Sequence, residues 1–332
     1  MIEYKNSEIQ SIICSKEQFL ITWHMTGWCN YNCPYCIAKS FQTNWITEDK
    51  ILEIADNLNS FINKYKQNER VCLRAVGGEI TYYDLPKIFD RIQHLDKVNI
   101  ATNFSRDLNY FKSLIKYFKD RKINLILTCS IHEENKEFKQ KFIALTKWCR
   151  ENKYKDPHAM IVVQPGFKPS DLEDYLAEDV WKIRLSRCRN NDTMANEYLD
   201  DETLSYLYDY NNYYDHRVND GLKNKAQSWN ITFKDGSILS LGSGSDLTNH
   251  LDCDGFIPDN YYCTVGINSM VILPQGDVTL SRCDYLKDKI IGNIFDYDNI
   301  KLPTQPIICQ LNKTGDGNKR CDLCAGSNIY RK

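Results

Sequence analysis

The chain has 332 residues, 42% of them hydrophobic, and a formal net charge of -2. That length suits one large domain or a large and a small one, and the near-neutral balance without a Lys/Arg block excludes nucleic-acid and membrane-surface binding as its main business. No apolar segment approaches the roughly 20 residues needed to cross a bilayer. The start, MIEYKNSEIQ, has neither the basic stretch nor the apolar run of a signal peptide, so a soluble cytoplasmic protein is expected.

In chain order, Phe19–Met25 reads as a strand and leads into a cysteine-bearing loop. A helix starts near Glu48, with Thr47 as N-cap and an apolar stripe of Ile51, Ile54, Ala55, Leu58, Phe61 and Ile62. Strand Val71–Val76 ends at Gly77-Gly78-Glu79. Then follow helix Leu85–His94, strand Val98–Ala101, helix Leu108–Phe118, strand Ile123–Cys129, helix Asn135–Cys149 and strand Ala159–Val163. Ser170 and Glu173 form a capping box, and Trp181–Leu185 reads as the sixth strand. Strands alternating with helices imply a parallel sheet, and right-handed crossovers curl it into a partial (β/α)6 TIM-like barrel of the α/β class. Chemistry in such folds gathers at the C-terminal ends of the strands. The polar clusters of this sequence fall there: cysteines after the first strand, GGE after the second, TN after the third and SIHEE after the fourth.

Three regions are expected: a barrel over 1–195, a bridging segment over 196–251 and a small module over 252–332. The stretch from Asn190 is polar and Tyr-rich, with one helix expected near Asp201–Tyr214. The module contains a hairpin, MVILPQGDVTL.

Fourteen cysteines are many for one chain. Without a signal peptide they point to metal binding or core packing rather than disulfides. Cys29, Cys33 and Cys36 lie within eight residues of one loop. Three local thiolates can hold a four-iron cubane and leave one iron open, although the spacing by itself also admits zinc with a distant fourth ligand. Cys263, Cys283, Cys321 and Cys324 form a second set, two flanking the hairpin and two in a CxxC, suited to zinc or to an iron–sulfur cluster. Cys309 and Cys253 are ambiguous. Cys14, Cys72, Cys129, Cys149 and Cys188 sit in or beside apolar segments and read as buried small hydrophobes.

CNYNCPYC resembles the CxxxCxxC motif of radical S-adenosylmethionine (SAM) enzymes, including the aromatic residue, Tyr35, before the third cysteine. GGE (Gly77, Gly78, Glu79) matches that family's second motif. The resemblance runs from about residue 19 to the end and implies the following. A [4Fe–4S] cluster on Cys29, Cys33 and Cys36 binds SAM. Gly77 and Gly78 bring backbone to the methionine amino group, with Glu79 contacting it or fixing the turn. Thr102 and Asn103 line the SAM pocket, and Ser130 and His132 approach the ribose or the carboxylate. His132 is the one candidate acid or base, against the plainer reading of a structural hydrogen-bonder. The tail resembles the twitch (half-SPASM) module, implying a second, auxiliary [4Fe–4S] cluster on Cys263, Cys283, Cys321 and Cys324. Six residues separate Gly276 from Cys283, more than the commonest full-SPASM spacing, and no further tail cysteines suggest a second auxiliary cluster.

The implied reaction is one-electron cleavage of SAM to methionine and a 5′-deoxyadenosyl radical, which removes hydrogen from an unactivated C–H bond. A flavodoxin or ferredoxin is the implied electron donor. A ribosomal peptide is the preferred substrate, although no N-terminal peptide-recognition domain is expected before residue 19. A sugar, aminocyclitol or nucleotide-sugar is the alternative, and a non-catalytic iron–sulfur or zinc protein is the reading from another class.

Overall fold

The computed structural model describes residues 9–14, 18–36, 45–132, 135–163, 183–187, 229–241, 261–280, 289–308 and 329–331. Strand β1 (Ile9–Cys14) belongs to a second sheet. The main sheet is built on β2 (Phe19–Thr26), β3 (Val71–Gly77), β4 (Lys97–Thr102), β5 (Asn124–Ser130), β6 (His158–Val163) and β7 (Ile183–Arg187). These six lie side by side in chain order and pair in parallel. Helices α1 (Glu48–Tyr65), α2 (Leu85–Phe89), α3 (Leu108–Asp120) and α4 (Phe138–Glu151) fill the crossovers. The expected alternation of strand and helix is present.

The helices bury one face of the sheet. Phe19, Ile21, Trp23 and Met25 of β2 share one apolar cluster with Leu73 and Ala75 of β3, Val98 and Ile100 of β4, and the inner stripes of α1, α3 and α4. Each of the larger of these side chains, from valine upward, contributes about 1.5–3 kcal/mol by leaving water. Strand side chains alternate between faces, so Thr22, His24, Arg74, Asn99 and Thr128 stand on the face away from the helices. In β4 this alternation shows as half-buried and buried residues in turn.

Helix starts follow local chemistry. Thr47 caps α1, its side chain accepting from the Lys50 N–H, and every residue of the expected stripe is buried. Asp107 caps α3 through the Tyr110 N–H. Two helices are shorter than the sequence suggests. Helix α2 stops at Phe89 rather than His94, because the Arg121 guanidinium donates to the Phe89 and Ile92 carbonyls and closes that end. Helix α4 begins at Phe138, not Asn135, whose side chain is used on the carbonyls of Asn103 and Phe104.

The larger departure lies at the edges. The region expected as a polar bridge contains a hairpin, β8 (Trp229–Phe233) and β9 (Ile238–Leu241), and β8 pairs with β1. Strands β10 (Tyr261–Cys263), β14 (Ile307–Ile308) and β15 (Ile329–Arg331) complete a six-stranded sheet in the order β14-β10-β15-β1-β8-β9. The expected hairpin exists as β11 (Ser269–Ile272) and β12 (Asp277–Thr279). It belongs to the main sheet: β11 pairs in parallel with β2, and β13 (Ile290–Asn293) pairs with β12. Among the described residues the main sheet thus runs β13-β12-β11-β2-β3-β4-β5-β6-β7 with β13 and β7 at its edges, an order consistent with a partial barrel. The helix expected near Asp201–Tyr214, the capping box at Ser170, and residues 181–182 of the sixth strand lie outside the described residues.

Candidate functional site at the strand ends

Four loops meet at the C-terminal ends of β2 to β5. The first runs from Thr26 through Cys29, Cys33 and Cys36. It is pinned to the end of β3 by two backbone bonds, Gly78 N–H to the Thr26 carbonyl (2.7 Å) and Glu79 N–H to the Trp28 carbonyl (2.9 Å). The approach is too close for side chains. A Cβ on Gly78 would lie 1.7 Å from the Trp28 carbonyl oxygen, and one on Gly77, at φ 145°, would lie 2.3 Å from that of Thr26. The two N–H groups of this turn are therefore committed to the cysteine loop.

Glu79 is fully buried. Its Oε1 accepts from the Thr81 N–H (3.0 Å), the Thr81 hydroxyl (2.5 Å) and the Thr102 hydroxyl (2.8 Å), and its Oε2 from the Asn103 N–H (2.6 Å). Burial pushes its carboxyl above the ordinary range, and these donors pull it back. The carboxylate ties the end of β3 to the end of β4 and caps the single 3-10 turn Ile80–Tyr82.

Asn103 carries that order to the cysteines. Its Nδ2 donates to Asn30 Oδ1 (2.8 Å) and to Cys29 Sγ (3.5 Å), and its Oδ1 accepts from the Ser105 N–H (3.0 Å). Phe104 follows at φ 60°, a left-handed backbone, with its carbonyl held by Asn135 Nδ2 and Lys141 Nζ. From the end of β5 comes His132. Its Nδ1 lies 3.3 Å from Cys33 Sγ and 3.0 Å from the Tyr35 hydroxyl, and its ring stacks on Tyr35 with 8° between planes. Ser130 closes β5, half-buried.

The donor set fits an iron–sulfur cluster. Cys33 is buried, while Cys29 and Cys36 are half-buried. Cys29 Sγ receives the Tyr31 N–H (3.4 Å) as well as the Asn103 amide, the bonds a ligating thiolate accepts. Burial raises the Cys29 thiol above its usual range; the Tyr31 N–H opposes this, and the fields of Glu79 and Cys36 add to it. Ionising that thiol asks for positive charge beside it, which bound iron provides. Among the described residues no three His, Cys, Asp or Glu side chains are placed to share one ion. A cubane asks for something different, since each thiolate takes its own iron corner.

The sequence-predicted residues Cys29, Cys33, Tyr35, Gly77, Gly78, Glu79, Thr102, Asn103 and His132 are thus brought together. Asn30, Thr81 and Asn135 were missed. Nothing local marks them, since each acts on a partner supplied by the fold.

Of the second cysteine set only Cys263 is described. It sits on β10, packed on the small cluster of Val265 and Leu280. Its register partners are Ile307 on β14 and Ile329 on β15. Cys283, Cys321, Cys324, Cys309 and Cys253 lie outside the described residues, as do Cys188 and the side chain of Cys14. Cys72, Cys129 and Cys149 are buried, as expected, and burial pushes the Cys149 thiol up to about 12. Among the described residues no helix is long and apolar enough to cross a membrane.

Residues 23–178 match the family described as the radical SAM superfamily. Two curated relatives share local similarity, both named S-adenosylmethionine-dependent nucleotide dehydratase. One, from Psychrobacter lutiphocae, is 31% identical over 113 residues, covering 30% of this chain and 38% of the relative. The other, from Fibrobacter sp. (strain UWH6), is 32% identical over 91 residues, covering 26% of this chain and 27% of the relative. The chain therefore spans well under half the length of either. Among solved structures, Streptococcus suis SuiB bound to precursor peptide SuiA superposes with TM-score 0.51 at 15% identity, over 80% of this chain and 60% of that one. Native anSMEcpe with bound AdoMet superposes with TM-score 0.50 at 16% identity, over 83% and 78%. At these identities the likeness is one of fold.

Proposed function

We propose, from the match of residues 23–178 to the radical SAM superfamily, that the chain is a radical SAM enzyme acting on a ribosomally made peptide. When bound, a [4Fe–4S] cluster supplies an electron to SAM, and SAM supplies the 5′-deoxyadenosyl radical that takes hydrogen from an unactivated C–H bond. One observation carries the reading. Loops far apart in sequence converge on the three-cysteine segment, with Asn103 on Cys29 and His132 on Cys33.

In this reading Cys29, Cys33 and Cys36 hold the cluster. Gly77 and Gly78 let the β3 end approach the loop, leaving their carbonyl side for the SAM ammonium. Glu79 fixes that turn; its carboxylate already has four donors. Tyr35, Thr102, Ser130 and His132 line the SAM side. The face of the sheet away from the helices carries Arg74, Asn99 and Thr128, polar groups suited to a polar substrate.

The peptide reading draws support from the fold shared with SuiB, whose structure holds a precursor peptide. A nucleotide or sugar substrate is the second reading, supported by the nucleotide dehydratases that match locally. An auxiliary cluster on Cys263, Cys283, Cys321 and Cys324 belongs to the same proposal. The registers of Cys263 with Ile307 and Ile329 support it, because they draw the chain on either side of Cys309, Cys321 and Cys324 towards Cys263. A cytoplasmic location and a flavodoxin or ferredoxin donor complete it.

Anaerobic reconstitution should give about eight irons if both sites carry four-iron clusters, and replacing Cys29, Cys33 and Cys36 by Ala should remove about half. The reconstituted protein, reduced with dithionite in the presence of SAM, should release 5′-deoxyadenosine. Stoichiometric zinc without visible charge-transfer absorption would refute the enzyme reading. Enhanced 5′-deoxyadenosine release with a peptide encoded beside the gene, rather than with nucleotides or sugars, decides between the substrates.

A further inference from the structure

We propose that Asn103 is a positioning residue for the cluster: its side-chain amide holds the first cysteine of the loop and raises the reduction potential of whatever iron–sulfur centre that cysteine ligates. The inference rests on the cluster assignment made above and goes beyond it, since the family resemblance places this residue against SAM rather than against sulfur.

Every hydrogen-bonding group of Asn103 is assigned. Its backbone N–H is donated to the buried Glu79 carboxylate at 2.6 Å, and its carbonyl accepts from Asn135 Nδ2 at 3.1 Å. Its side-chain oxygen accepts from the Ser105 N–H at 3.0 Å. That last bond settles the orientation of the amide, because a backbone N–H can meet only the oxygen. The amide nitrogen must then face the cysteine loop. Its two hydrogens have two acceptors there, Asn30 Oδ1 at 2.8 Å and Cys29 Sγ at 3.5 Å.

Asn103 is itself almost fully buried, at 5% exposure. The Glu79 and Asn135 bonds fix its backbone, and the side chain cannot rotate away without losing the Ser105 and Asn30 bonds. The donor is therefore preorganised by three strand ends rather than recruited by the sulfur. A hydrogen bond to a thiolate ligand favours the more electron-rich, reduced state of an iron–sulfur centre. Held in place as it is, the amide makes reduction easier at the step where an electron must enter.

The test uses the reconstituted full chain and reads the midpoint potential of the SAM-site cluster, followed by electron paramagnetic resonance with and without SAM. Two variants are compared with wild type. Asn103→Ala removes the donor. Asn103→Asp keeps the volume and the acceptor for the Ser105 N–H, so it preserves the local fold, but turns an oxygen towards the sulfur. Both should retain the loop cluster's iron, with the potential moved to more negative values and Asp moved further than Ala. Should Ala fail to fold, Asp alone decides. A potential and a SAM-induced spectral change equal to wild type in the folded variants would overturn the inference. If wild-type protein assembles no cluster on the loop, the proposed function fails first, and this inference falls with it.

Discussion

Strands β3 and β11 flank the same strand, β2, yet the strand ends of β3 and β4 and the hairpin β11–β12 are held by opposite means. At the strand ends a carboxylate is buried and given four donors, and two glycines let backbone meet backbone. At the hairpin, Met270, Ile272 and Val278 enter the apolar core, and the parallel ladder from Ser269 to Ile272 does the joining. Apolar burial is undirected and tolerates small shifts, whereas a buried polar network is satisfied in one geometry or is costly. The first region is built for position and the second for stability.

The largest test of that contrast is Gly78→Ala. The added methyl meets the Trp28 carbonyl, and no side-chain motion relieves it. The variant should lose about 3 kcal/mol or more in urea denaturation and fail to retain iron on the cysteine loop. Wild-type stability would show that the loop does not sit against β3 as described.

Glu79→Ala comes next. It strands four donors in the interior, and a loss of about 3–5 kcal/mol is expected. The pH dependence has a definite sign. The folded carboxyl is raised above its ordinary value of 4.5. Its contribution is therefore fully present below that value and is lost as pH rises through the folded value. Relative to Glu79→Gln, which does not titrate, wild type should lose stability as pH rises from about 4.5 towards neutrality. An opposite slope in denaturation midpoints would mean that the donors outweigh burial.

Ile272→Ala probes the other region. Ile272 is fully buried, and about 3 kcal/mol should be lost on truncation. Iron content and the SAM-induced spectrum of the loop cluster should stay at wild-type values in the folded fraction. A changed spectrum would show that the hairpin also positions the site.

The smallest effect is expected where α1 meets the turn Ile294–Asn299. Lys64 Nζ and Asp298 Oδ1 are 2.8 Å apart, with both side chains more than half exposed. Solvent and salt screen such a pair, so Lys64→Ala should leave the denaturation midpoint unchanged within error.

The sequence by itself determined the alternation of helices and parallel strands. Its strands and helices follow from periodicity, caps and breaks that act within a few residues. The three cysteines, GGE and TN were legible for the same reason, as each is a short motif at the end of a recognisable strand. Tertiary structure decided what those motifs do to one another. That Glu79 is taken up by Thr81, Thr102 and Asn103, and that Asn103 turns its amide to Cys29, depends on β3 and β4 being parallel neighbours. It also decided that β11 joins β2, and that Ile9–Cys14 and Trp229–Phe233, more than two hundred residues apart, form adjacent strands. Strand pairing is a contact between distant segments, and a short strand carries no local mark of its partner.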